Sequence, residues 1–313
     1  MRPKEYRIKE LLRKKGLDGA IVSSPENFHY VTGFGGHQHT VSRQPGFTLA
    51  VMRADDKVPT HLTTMDFEAA TFRIKAAGLN FVVDPYDTWV GLKTWDEIAH
   101  GAVVPDKTAM ESSMDKLVQF MKACDLANKK VGVELDYLPV PYYKSLTEKF
   151  PEAEFVDISD LFVYARSVKQ PDEIEMFRNL CRIADHGFTE VSKIAKIGVS
   201  ERELAQCFRE DVIKSGFCAP SAWSMFSTGP SSARLTLPGD GVVKDGDVVK
   251  FDAGVNAEFD FYTTDTSRAW IIGNGDPVLL KLKDRLYEGQ RRMIAAAKPG
   301  LPINELYHTA YDY

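Results

Sequence analysis

Short apolar runs alternate with longer amphipathic ones through the first half of the sequence, and this alternation restricts the possible folds more than any other feature. The predicted strands cover residues 18–23, 47–52, 80–84, 130–135 and 154–159. The predicted helices cover about residues 4–16, 65–77, 112–127 and 140–149. Alternation of this kind is typical of a mostly parallel sheet flanked by helices. We therefore predict an α/β domain in which residues 24–27, Ser-Pro-Glu-Asn, form a turn after the first strand.

The pattern changes near Arg166, where a long helix begins at Pro171. Its predicted buried face contains residues that recur every three or four positions, namely Ile174, Phe177, Leu180, Ala184, Phe188 and Val191. The next helix opens at Ser200-Glu201-Arg202-Glu203, a capping box. Strand material at 220–229, a hairpin of strands 247–257 and 260–272, and helices near 278–297 and after Pro302 follow. We predict two domains, residues 1–165 and 166–313.

Composition excludes several classes of protein. The 313 residues are 44% hydrophobic and 27% charged, with a formal net charge of −5, which is ordinary for a globular protein and lacks the basic face that nucleic-acid binding needs. No apolar run approaches the ~20 residues of a membrane span, and the charged N-terminus does not resemble a signal peptide. Four cysteines without a CxxC pair indicate reduced thiols and a cytoplasmic protein.

The hairpin carries an unusual number of acids: Asp252, Glu258, Asp260 and Asp265. Aspartate is depleted in strands because its short polar side chain competes for backbone hydrogen bonds. A turn between Glu258 and Phe259 would place Asp252 directly opposite Asp265, where like charges are destabilising unless a cation lies between them. We predict that these two aspartates bind a divalent metal; the alternative is exposure at a hairpin tip, which is our interpretation of Glu258 and Asp260.

At these residues the sequence resembles the "pita-bread" metallohydrolases, the aminopeptidase P, prolidase and creatinase group. Asp252-Ala253-Gly254 is similar to the family's D-x-G segment, and residues 262–268, Tyr-Thr-Thr-Asp-Thr-Ser-Arg, to its Gly-Tyr-x-x-Asp-x-Thr-Arg segment. Residues 27–34 resemble an element of the creatinase-type N-terminal domain, and residues 166–169 resemble the link into the catalytic domain. The resemblance implies an α/β creatinase-type N-terminal domain followed by an α+β pita-bread catalytic domain.

Two departures from the family pattern stand out. Asp252 and Asp265 lie two residues further apart than is usual, which one extra residue in each arm of the hairpin would absorb without changing their common face. The loop before the D-x-G strand has Thr236 where the peptidases carry a histidine, and Ser231 where they carry an asparagine. Arg234 is a candidate replacement donor; its alternative is a solvated loop arginine.

The resemblance also implies a complete site of two divalent ions, Mn, Co or Zn, held by two aspartates, a histidine and two glutamates. The general-base glutamate would lie beyond Tyr313, so we expect the given sequence to be an incomplete pita-bread domain; a natural short form is the alternative. Glu305 and His308 are interpreted as helix-surface residues. In creatinase-type dimers the N-terminal domain borders the partner's active site, so the resemblance implies a homodimer. It also makes His37 and His39 candidate substrate-binding residues together with Arg234; for the two histidines, a polar loop is the alternative.

The expected function is hydrolysis of an Xaa-Pro peptide or another small amide, with the metals activating a water. Because the loop histidine is missing, two alternatives stay open. One is a member that acts on a different small molecule, as creatinase-like enzymes or lyases do. The other is a non-catalytic binding protein on the same fold.

Overall fold

The computed structural model describes residues 2–88, 95–101, 112–216, 218–258 and 260–313. The chain divides into two compact units, which are described separately. The first contains residues 1–170 together with 259–261, and the second contains residues 171–258 and 262–313.

The first unit is built around a six-stranded sheet with the order β4-β3-β2-β1-β5-β6. Its strands are β1 (Gly19–Val22), β2 (Leu49–Arg53), β3 (Thr60–Thr63), β4 (Phe81–Val83), β5 (Lys130–Val133) and β6 (Glu154–Asp157). Strands β1, β5 and β6 pair in parallel, as do β3 and β4, whereas β2 is antiparallel to both of its neighbours. The predicted parallel character is thus present, with β2 as the one reversed strand among the six. Strand β3 was not predicted from the sequence.

Helices cover both faces of this sheet. They are α1 (Pro3–Lys14), α2 (Pro25–Thr32), α3 (His37–Val41), α4 (Ala69–Ala76), α5 (Trp95–Ala99), α6 (Ser113–Ala123), α7 (Val140–Lys149) and α8 (Ser159–Ser167). Successive β1 residues point to opposite faces: Ala20 and Val22 pack into one core with α1, α2, α4 and α8, and Ile21 packs into the other with α6 and α7. The α/β fold class is confirmed.

The predicted turn at residues 24–27 is wrong, because helix α2 begins there. Pro25 occupies the first helical position, and the Ser24 hydroxyl caps the helix by accepting a hydrogen bond from the Asn27 amide at 3.4 Å. Serine followed by proline is a helix-start pattern as well as a turn pattern. Helix α8 was also absent from the sequence interpretation.

The second unit packs two long helices on a small antiparallel sheet. Its elements are α9 (Pro171–Ile194), α10 (Glu201–Lys214), β7 (Cys218–Pro220), β8 (Met225–Thr228), β9 (Val248–Ala253), β10 (Val255–Ala257), β11 (Thr266–Ile271), α11 (Pro277–Ala296) and α12 (Ile303–Tyr311). Strands β11, β9 and β8 form one sheet, and β10 pairs with β7. The capping box predicted at Ser200 and Glu203 is confirmed.

The buried face of α9 follows the predicted spacing except in its first turn. Leu180, Ala184, Phe188 and Val191 are buried against α10 and the sheet, whereas Ile174 is 41% exposed. Glu173 is the residue buried in that turn, and its carboxylate accepts a hydrogen bond from the Tyr262 hydroxyl at 2.8 Å. At this end of α9, the hydrogen-bonded pair Glu173–Tyr262 occupies the buried position that was predicted for Ile174.

Helices α11 and α12 lie close to their predicted positions. Glu305 and His308 are exposed on α12, as expected, and His308 pairs with Asp312 at 3.4 Å. Across the described ranges, the chain contains no helix of the length and apolarity that crossing a membrane requires.

Candidate metal centre

The β9–β11 pairing differs from the predicted register by two positions. Asp252 lies opposite Ser267, and Ala253 lies opposite Thr266, so the predicted direct opposition of Asp252 and Asp265 is wrong. Phe259, one of the two predicted turn residues, lies outside the described residues. The hydrogen bond from the Ala257 amide to the Tyr262 carbonyl, at 2.8 Å, shows that the turn is centred further along the chain than predicted.

The two aspartates nevertheless share one face of the hairpin. The register continues past Thr266 and Ala253, since the Thr264 amide donates to the Val255 carbonyl at 3.0 Å. Asp265 therefore lies across from Gly254, two positions from Asp252. A shift of two residues preserves the face, and diagonal neighbours of this kind are ~7–8 Å apart at their Cα atoms, within reach of one bound ion.

The surroundings of Asp252 disfavour its ionised form. Its half-buried position raises the pKa of the carboxyl group above its ordinary value, and the negative charge of Asp265 raises that pKa further; Lys250 opposes both effects. Among the described residues, none donates a hydrogen bond to either carboxylate. Two like charges without donors favour a cation between them.

Glycine at position 254 is required by the close approach of the two hairpin arms. A Cβ atom on Gly254 would lie 2.1 Å from the Thr264 carbonyl oxygen and 2.6 Å from the Ser221 hydroxyl. The same residue is where the chain changes pairing partner, from β8 and β11 to β7. Any side chain here would push apart the backbone that sets the positions of Asp252 and Asp265.

The two carboxylates fit a divalent cation in kind, because hard cations take oxygen ligands and prefer charged ones. In the part of the chain that the structure describes, no group of three or more His, Cys, Asp or Glu side chains could hold a metal ion. Asp252 and Asp265 are therefore candidate ligands, and the described residues around them do not complete a metal site.

The other two acids of the hairpin are separate from this pair. Glu258 is exposed. Asp260 belongs with residues 259–261 to the first unit, where its carboxylate pairs with His29 of α2 at 3.2 Å. That hydrogen bond lowers the pKa of Asp260, so Asp260 is a partly exposed ion-pair residue rather than a solvated tip.

Arg268 of β11 faces the opposite side of the hairpin from the two aspartates and stabilises the fold. Its guanidinium donates to the Asp185 carboxylate of α9 at 2.6 Å and lies over the Phe188 ring, 5.6 Å from the centroid. Because Arg268 pairs with Phe251, and Ser267 with Asp252, alternate residues of β11 serve the core and the candidate site.

The sequence matches the models of two protein families. Residues 6–168 match the creatinase/prolidase N-terminal domain, and residues 175–313 match metallopeptidase family M24. The chain belongs to metallopeptidase family M24.

Several relatives of this M24 chain are described as peptidases. It is 24% identical over 303 residues to an uncharacterised peptidase of Bacillus subtilis (strain 168), covering 96% of this chain and 73% of that protein. It is 23% identical to an Xaa-Pro dipeptidase of Lactobacillus delbrueckii subsp. lactis, over 96% of this chain and 74% of that protein.

Solved structures show the same fold. An Xaa-Pro dipeptidase from Bacillus anthracis aligns with a TM-score of 0.77 at 21% identity, over 99% of this chain and 76% of that one. Prolidase from Pyrococcus furiosus aligns with a TM-score of 0.70 at 21% identity, over 97% and 77%. The pita-bread fold expected from the sequence is thereby confirmed for this M24 chain.

The substrate-binding candidates lie in different environments. His37 is exposed and lines a cavity of about 270 Å³ with His29 and Lys75. His39 is fully buried, its Nε2 lies 2.9 Å from the Ser23 carbonyl, and burial lowers its pKa to about 4. A neutral, enclosed imidazole is a core residue in this chain, so the prediction that His39 contacts substrate finds no support in the structure.

Arg234 and Thr236 lie on the loop that precedes β9. The Arg234 side chain is exposed, and its carbonyl accepts a hydrogen bond from the Lys250 ammonium at 2.8 Å. The Thr236 hydroxyl donates to the Leu237 carbonyl at 3.2 Å. Thr236, which stands where the family pattern predicts a histidine, therefore offers a hydroxyl and no titratable group.

Glu201 and Lys250 were not singled out from the sequence. Glu201 appeared only as part of a capping box, although Glu203 is the residue that reaches back to Ser200. Lys250 shares the open face of β9 with Asp252, since the two are separated by one residue. The sequence signal that could have identified Lys250 is its position two residues before Asp252, an expected metal ligand.

Proposed function

We propose that this M24 chain is a metal-dependent hydrolase that cleaves small Xaa-Pro peptides. The observation that carries the proposal is the placement of Asp252 and Asp265 on one hairpin face, with the charge of Asp265 raising the pKa of Asp252. The relatives described as Xaa-Pro dipeptidases support the choice of substrate.

Asp252 and Asp265 would supply two carboxylates to a site of two divalent ions. Bound divalent ions lower the pKa of a water and polarise the scissile carbonyl. The contribution of this chain is to hold the two carboxylates on one face of the hairpin. Lys250 favours the ionised form of Asp252, and Gly254 permits the close backbone approach that fixes the geometry.

Hydrolysis of an Xaa-Pro dipeptide by the full-length protein in the presence of Mn²⁺, with the matched Xaa-Ala dipeptide as the comparison substrate, tests the proposal. We expect cleavage of the proline substrate and its loss in Asp265→Asn, because that change removes one of two carboxylate ligands. Glu258→Gln is the matched control, since Glu258 is an exposed acid on the same hairpin. Wild-type turnover in Asp265→Asn, or equal cleavage of both dipeptides, would contradict the proposal.

One departure from the family pattern favours a second function. Thr236 stands where the resemblance implies a substrate-binding histidine, so hydrolysis of a different small amide is the alternative. Cleavage that requires Asp265 but shows no preference for proline would support this alternative.

A further inference from the structure

We propose that Glu201 is the positioning residue of the loop at residues 229–241, and that Lys250 fixes the middle of that loop to the strand carrying Asp252. The inference rests on the proposed function in one respect, namely that this face of the hairpin receives the substrate. Glu201 does not contact that face; it would act through the loop.

A single buried carboxylate binds both ends of the loop. Glu201 is 2% exposed. At the start of the loop, its Oε1 accepts hydrogen bonds from the Thr228 amide at 2.9 Å and from the Ser231 hydroxyl at 2.6 Å. At the far end, its Oε2 accepts a hydrogen bond from the Gly239 amide at 2.7 Å. The two oxygens of one side chain thus close the loop.

The far end is shaped to admit this carboxylate. A Cβ atom on Gly241 would lie 2.6 Å from Glu201 Oε1 and 2.8 Å from its Cδ, so a larger residue at this position would displace the side chain. The Glu201 amide donates to the Gly241 carbonyl at 2.9 Å, and Ser200 bridges to Val242. The start of α10 and the end of the loop therefore form one antiparallel contact.

The position of Glu201 suits a buried negative charge. It is the first residue of α10, where the helix dipole and free backbone amides stabilise anions. A carboxylate offers about four acceptor sites on two oxygens, enough for all three donors. A glutamine would offer one acceptor oxygen and place an amide donor towards one end of the loop.

Lys250 connects the middle of the loop to the candidate site. Its ammonium donates to the Arg234 carbonyl at 2.8 Å. Lys250 and Asp252 lie two residues apart on β9 and so point to the same face. The segment containing Arg234 and Thr236 is consequently bound to β9, the strand that carries Asp252. Glu201 holds the two ends of the same loop.

Amide hydrogen exchange of the loop tests the hold of Glu201 directly. We expect Glu201→Ala to accelerate exchange at Gly239 about tenfold, the effect of losing one hydrogen bond. Thr228 should change less, since the Ser231 hydroxyl at 3.1 Å remains as a second acceptor. Glu201→Gln should keep the hydrogen bonds to one end of the loop and lose those to the other end. Glu210→Ala, an exposed glutamate on the same helix, should leave both amides unchanged.

Steady-state kinetics separates positioning from general stabilisation. With an Xaa-Pro dipeptide, we expect Glu201→Ala and Lys250→Met to raise KM about tenfold, with a smaller effect on kcat, and Glu201→Gln to recover part of the loss. Gly239 exchange that is unchanged in Glu201→Ala would overturn the inference, as would accelerated exchange with a wild-type KM. A wild-type chain without hydrolysis would contradict the proposed function alone, because the exchange measurement needs neither metal nor substrate.

Discussion

Glu134 of the first unit and Asp252 of the second are both withdrawn from water, but their surroundings differ. The Glu134 carboxylate is 2% exposed and accepts hydrogen bonds from the backbone amides of Ser23 and Ser24, from the Ser24 hydroxyl at 2.7 Å and from the Asn27 amide group. Asp252 receives no such bond from the described residues and has Asp265 beside it. The protein supplies hydrogen-bond donors to the Glu134 carboxylate, whereas the Asp252 carboxylate would need a bound cation.

This difference distinguishes a structural acid, Glu134, from a candidate functional acid, Asp252. Donors that converge on Glu134 hold the start of α2 against β1 and β5, so its hydrogen bonds stabilise the fold. Burial raises the pKa of the Glu134 carboxyl group, and these hydrogen bonds oppose that rise. The like charges of Asp252, on β9, and Asp265, directly before β11, are expected to destabilise the fold until a cation neutralises them. Burial alone would have selected Glu134 as the functional acid, whereas the lack of donors selects Asp252.

The largest expected effect is on the structural side of this comparison. Glu134→Ala leaves two buried backbone amides without an acceptor and should lower the free energy of unfolding by about 4 kcal/mol. Chemical denaturation measures this loss. Glu152→Ala, an exposed glutamate of the same unit, should change stability little. Equal midpoints for the two variants would show that the Glu134 contacts do not stabilise the fold.

His39 sets the pH dependence of the first unit. Its pKa is lowered to about 4 by burial, so the unfolded chain binds a proton more readily between about pH 4 and 6.5. Stability should therefore fall as the pH falls through this window, by about 3 kcal/mol for this group. Denaturation at pH 4 and pH 7 should show the dependence in the wild type and a smaller one in His39→Gln. The exposed His100→Gln variant should retain it.

Metal binding tests the functional side. Mn²⁺ at a hundred times its dissociation constant should raise the free energy of unfolding by about 2.7 kcal/mol. Asp252→Asn and Asp265→Asn should each remove this stabilisation, whereas Glu258→Gln should keep it. The comparison would fail if Mn²⁺ stabilised all four proteins equally.

The smallest effect is the pH dependence of Asp252 without metal. Its pKa is raised above the ordinary 3.8, so the folded state binds a proton at Asp252 more readily than the unfolded chain does. In metal-free buffer, stability is retained at low pH and decreases as the pH rises through the pKa of Asp252, the opposite direction to His39. Asp252→Asn should lack this decrease. A wild-type protein whose stability relative to Asp252→Asn increases over the same range would contradict the electrostatic account.

Much of the fold could be predicted from periodicity, because a helix such as α9 shows most of its buried face directly in the sequence. The failures lie where local chemistry permits two outcomes. Ser24-Pro25 is compatible with a turn and with a helix start, and tertiary packing of Phe28 and Tyr30 selected the helix. Strand β3 is four residues long, too short for a clear period.

The candidate site was predictable in its residues but not in its register. Asp252 and Asp265 follow from the improbability of acids in strands, and their common face survives a two-residue shift. The shift itself depends on the turn, which sequence alone does not fix. The role of Glu201 could not be predicted, because its partners lie 27 to 38 positions along the chain.

Anomalous diffraction from crystals grown with Mn²⁺ tests the central claim most directly, because it locates the ion rather than its consequences. The account predicts an anomalous peak between the carboxylates of Asp252 and Asp265 on the open face of β9 and β11, absent from crystals of the Asp265→Asn variant. A fully occupied Mn²⁺ elsewhere in the chain, with these two carboxylates free, would contradict it.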